Sequence, residues 1–74
     1  MTLMEQETHL NSLGTPWESL KDSFAAGRDR HIEAVHENAT IPEEWKSDIE
    51  QAHRDNYTHL IDTLMKLSSR ANPK

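Results

Sequence analysis

A chain of 74 residues without cysteine makes one small domain and has neither disulfides nor thiolate metal sites. Its net charge of −5, with Lys and Arg scattered singly among carboxylates, argues against direct binding of nucleic acid, which needs clustered basic groups. No apolar run approaches the ~20 residues of a membrane span, and the N-terminus lacks the basic and apolar regions of a leader. With the missing cysteine, this points to a cytoplasmic protein.

The hydrophobic fraction is 34%, against a usual ~45–50% when glycine is counted. A core this thin supplies no more than ~3–5 kcal/mol, and such chains add a metal, disulfides or a second copy.

The first segment, residues 1–14, reads as an N-terminal arm or short helix. Leu3, Met4, Leu10 and Leu13 form a sparse apolar stripe. Gly14 is placed to end it in the left-handed region that glycine enters without steric cost.

The second segment opens on Thr15-Pro16-Trp17-Glu18, a capping-box pattern with proline at the first helical position. Trp17, Leu20, Phe24, His31 and Val35 then recur at helical spacing, with Ile32 at the edge of the stripe. The helix is predicted over residues 16–37, with Asn38 as a left-handed exit.

The third segment repeats the pattern with Thr40-Ile41-Pro42-Glu43. Its helix is predicted over residues 42–69, with a frayed tail over 70–74. Glu43 and Glu44 suit the positive end of its dipole, and Lys66 and Arg70 the negative end. Glu50 with Arg54 and Asp62 with Lys66 are i,i+4 pairs in the favourable order.

A short connection makes the two long helices an antiparallel hairpin. Folding about residues 39–41 sets Val35 level with Trp45, Phe24 with Asn56, Leu20 with Leu60 and Trp17 with Leu64. On the third helix, Trp45, Ile49, Ala52, Leu60, Leu64 and Leu67 define one face. Tyr57, Ile61 and Met65 lie roughly 80–100° around from it. One partner helix cannot cover so wide an arc. The expectation is an all-α chain whose hairpin dimerises into a helical bundle, with Tyr57, Ile61, Met65, Trp45 and Trp17 as interface residues. Packing of residues 1–13 on the arc is the alternative.

Two Glu-x-x-His motifs, Glu33 with His36 and Glu50 with His53, match the spacing used in di-iron carboxylate bundles. Their bland reading, solvated helix faces, is preferred. His36 and His53 are separated by ~12 Å along one hairpin, and only a dimer could join them. No cofactor is expected. Arg28, His31, Glu50, His53 and Asn56 should form a polar layer in mid-hairpin, with Gly27 making room for a ring. Such a layer sets register, as a buried Asn does in coiled coils. A weak metal site or a pH switch is the functional reading of the same residues. No Gly-x-Ser-x-Gly elbow is present, and the chain is read as a non-enzyme.

In size and in its two amphipathic helices joined through Ile41-Pro42-Glu43, the chain resembles small helical anti-activators that sequester bacterial transcription factors, and inhibitors carried by phages. That resemblance implies a regulator or inhibitor that binds a larger cytoplasmic protein. A ferritin-like metal module and a structural subunit of a larger assembly are the alternatives.

Overall fold

The computed structural model describes residues 1–71. It is all-α, with α1 over Leu3–Leu13, α2 over Trp17–Glu37 and α3 over Glu43–Ala71. α2 and α3 pack as a long hairpin, and α1 packs on both. Of the expected tail, residues 72–74 lie outside the described residues, while Arg70 and Ala71 continue α3.

The caps differ from the expected ones. α1 opens on a complete capping box that the sequence spelled as Thr2-x-x-Glu5: the Glu5 amide donates to Thr2 Oγ1 at 3.2 Å, and the Thr2 amide to Glu5 Oε1 at 3.1 Å. That pairing holds the Glu5 carboxyl below its ordinary pKa, chiefly through the Thr2 amide. The box expected at Thr15 is not formed. Pro16 is the cap residue and makes no side-chain bond, because the Glu18 amide is already taken by the Gly14 carbonyl at 3.0 Å. Gly14 has the positive φ of +74°, but its ψ of −165° lies in a region open essentially to glycine alone rather than in the left-handed helical one. Asn38 is extended, at φ −80° and ψ 105°. Thr40 does not cap Glu43. Its amide and hydroxyl both donate to Asn38 Oδ1, at 3.0 and 2.6 Å.

That extended connection moves the register. The first turn of α3 overhangs the end of α2, and Lys46 Nζ reaches back to the His36 carbonyl at 2.9 Å. His31 therefore faces His53, Arg28 faces Tyr57, and His36 faces Glu50. The expected register, with His31 level with Glu50, is off by about one turn.

The seams are also rotated. On α2 the shielded line runs through Lys21, Ala25, Arg28, Ile32 and Val35, while Leu20 and His31 are exposed. On α3 it runs through Lys46, Glu50, His53, Tyr57, Ile61, Leu64 and Ser68, while Trp45 and Leu67 are exposed. Both lines follow the alternating three- and four-residue steps of a helix-pair seam. Long polar side chains hold many of the steps, packing through their stems, with the Lys46 ammonium turned inward onto the His36 carbonyl.

The core is Leu10, Tyr57, Ile61 and Leu64, with Leu3, Leu13, Trp17, Phe24, Ala25 and Met65 packed around it. The wide arc on α3 is thus covered within one chain. Tyr57 is 1% exposed and Ile61 0%. For Tyr57, Ile61 and Met65 the arrangement within one chain is the alternative expectation, packing by residues 1–13: α1 supplies the third surface that a two-helix hairpin lacks, and Leu10 is the knob that fills it. Trp17 likewise packs against the core rather than offering a free face.

Candidate functional site

α1 has 11 residues and α3 has 29. Its contacts fall on the Tyr57–Ser68 stretch of α3: Leu10 joins Tyr57, Ile61 and Leu64, and Gln6 Nε2 approaches Asp62 Oδ1 at 3.5 Å. The rest of the hairpin, toward the α2–α3 connection, is two helices only. Two features stand out there and at its border.

The border is the middle of the hairpin. The Tyr57 hydroxyl donates to Glu7 Oε2, and the Arg28 guanidinium lies over the Tyr57 ring at 4.3 Å, a cation–π contact. Burial, reinforced by the bond to Glu7, pushes the Tyr57 phenol well above its ordinary value of 10. Arg28 also donates from Nε to Asp29 Oδ1 at 2.9 Å, which raises its pKa further.

Beside this contact, Ser23, Gly27, Arg28, His31, His53 and Asn56 line a cleft of about 190 Å³. The His31 and His53 rings lie close across the helix pair, with centroids 5.2 Å apart and planes tilted by 38°. Arg28, His31, His53 and Asn56 thus do come together. They form the wall of an open cleft, however, since His31 and Asn56 are exposed. Gly27 is not needed to admit a ring, for a Cβ there would meet nothing within 4 Å.

Glu50 stands apart from this group. Its Oε1 lies 2.9 Å from His36 Nε2, and its Oε2 lies 3.8 Å from Arg54 Nε. The His36 bond, with help from the Arg54 charge, holds the Glu50 carboxyl below its ordinary value. Of Glu33, His36, Glu50 and His53, the residues of the alternative metal reading, His36 and Glu50 meet within one chain. Glu33 is exposed, and no three His, Asp or Glu side chains stand close enough to hold a metal among the described residues.

The second feature is the hairpin end. Trp45 is 60% exposed in the first turns of α3, ringed in sequence by exposed Glu37, Glu43, Glu44 and Asp48. Lys46, the basic residue beside it, is turned inward and only 6% exposed. It bonds the His36 carbonyl at 2.9 Å and Glu43 Oε1 at 3.1 Å, tying the end of α2 to the start of α3. Sequence reasoning missed Lys46. Its signal was available, since it sits on the same three- and four-residue line as Tyr57, Ile61 and Leu64.

No helix among the described residues is long and apolar enough to cross a membrane. Comparisons with protein-family models, with curated proteins and with solved structures each found no match to this chain.

Proposed function

We propose that this chain is a non-enzymatic protein-interaction module, a small regulator or inhibitor that engages a larger protein through the two-helix end of its hairpin. The observation that carries this reading is Trp45. A tryptophan left 60% exposed on a chain with few large apolar residues is unfavourable unless something covers it, and tryptophan is the residue type most enriched among binding hot spots. Its surroundings define the partner chemistry. Exposed Glu37, Glu43, Glu44 and Asp48 make this end of the hairpin acidic in sequence, and Lys46 is turned inward. The complementary surface is an apolar pocket edged by Lys or Arg. Charge of opposite sign at such a rim steers encounter and sets specificity more than it adds affinity.

The test compares capture from source-cell extract by the full chain and by Trp45→Ala. Trp45 lies outside the packed core, so the variant should keep wild-type helicity and melting midpoint. The expected result is a stoichiometric partner held by the wild-type chain and lost by the variant, with capture weakened as salt is raised. Identical capture by both chains would refute the assignment of Trp45 as the anchor.

A further inference from the structure

We propose that His31 and His53 form a two-imidazole site for a first-row transition-metal cation of the Zn²⁺, Cu²⁺ or Ni²⁺ class, bridging α2 and α3. The argument starts from the ring separation. A metal–nitrogen bond of about 2.0–2.1 Å puts each imidazole centroid about 3.2 Å from a shared ion, and a tetrahedral angle at the ion then sets the centroids about 5.2 Å apart. The structure gives 5.2 Å. The two rings come from facing positions on different helices, so their spacing follows from the register of the hairpin rather than from one flexible loop.

The surroundings suit a cation of this class. Neutral imidazole is a preferred ligand of Zn, Cu and Ni. The cleft of about 190 Å³ that both rings line leaves room for water in the remaining coordination positions, and Asn56 in its wall carries an amide oxygen. Arg28 is the cation that faces the site. Its charge is matched by Asp29 at 2.9 Å, and its guanidinium is drawn over Tyr57. The chain as a whole carries −5, which favours cation uptake. With two protein ligands the site is open, so it binds reversibly rather than as a structural metal centre. An ion held there ties the two-helix half of the hairpin together, where α1 gives no cover. It stabilises the fold by mass action, because the unfolded chain does not present the two rings at this spacing.

The test is isothermal titration of the full chain with zinc chloride, together with melting curves followed by circular dichroism. The expected result is one ion per chain and a melting midpoint that rises with zinc. His31→Gln and His53→Gln should each weaken binding by at least about tenfold, the lower end of what loss of even an outer-shell partner costs. His36→Gln, His9→Gln and His59→Gln should leave it unchanged. Absence of uptake, or uptake undiminished in both His31→Gln and His53→Gln, overturns the proposal. If a variant loses helicity without metal, Cu²⁺ broadening of the wild-type proton spectrum decides. Broadening centred on the ring protons of His31 and His53 supports the site, and broadening centred on any other histidine or the terminal amine overturns it.

Discussion

Replacing Leu10 by alanine strikes the buried side chain of α1, with Leu3 and Leu13 only partly buried beside it. Leu10 is fully buried against Tyr57, Ile61 and Leu64. Truncating a leucine at such a site costs about 2–5 kcal/mol, from lost transfer free energy and from the cavity left behind. A chain this small has only ~3–5 kcal/mol to lose. What then holds α1 is the partly buried Leu3 and Leu13, the Gln6–Asp62 contact at 3.5 Å and the Glu7–Tyr57 bond. At roughly 4–8 °C per kcal/mol for a domain of this size, the melting midpoint should fall by at least about 8 °C, or the cooperative transition should vanish. Detachment of α1 would also open Tyr57, Ile61 and Met65 to water, and that apolar arc should then draw copies together. Circular dichroism melting gives the first readout and sedimentation equilibrium at micromolar concentration the second, with a monomeric wild-type chain as the reference. A loss below about 0.5 kcal/mol, the range of ordinary surface substitutions, would refute the packing of α1 on the arc. It would restore the expectation that a second copy covers it.

Gly27→Ala should stabilise the chain by up to about 1 kcal/mol, since glycine inside a helix costs that much relative to alanine and the added methyl meets nothing within 4 Å; a urea titration showing destabilisation would mean that the cleft beside it is closed. Tyr57 is the only tyrosine, so phenolate absorbance reports it alone. Its ionisation should begin well above pH 10, because burial and the Glu7 carboxylate favour the neutral phenol. The unfolded chain would shed that proton first. Its contribution to stability should therefore be full below pH 10 and be lost as pH rises from there toward the raised folded value. An ionisation midpoint at pH 10 in a chain that is still helical would show the ring to be solvated.

How much of this was legible in the sequence divides by range of interaction. Helix identity and length follow from local rules. The stripes of period 3.6, Pro16 and Pro42 near the starts, and Gly14 between the first two segments place three helices within one or two residues of where they lie. A short connection dictates the antiparallel pairing of α2 and α3. The Thr2–Glu5 box is likewise a local pattern, a threonine followed three residues later by a glutamate.

Tertiary structure decided what local rules leave open. The face of α2 that is buried depends on how it meets both other helices. Ala25 packs on the core, and Arg28 and Ile32 are shielded, while His31 and Leu20, apparent members of the stripe, turn out. Seam positions filled by Lys21, Arg28, Lys46, Glu50 and His53 carry no hydrophobic signal, because their stems supply the packing while their heads find polar or aromatic partners. The extended Asn38 connection and the Lys46 bond across it then slide the hairpin by about one turn. That slide separates His31 from Glu50 and sets it against His53. The two rings meet because of a register that no single helix encodes, and Trp45 is left exposed because Lys46, the next residue, takes the seam position on α3.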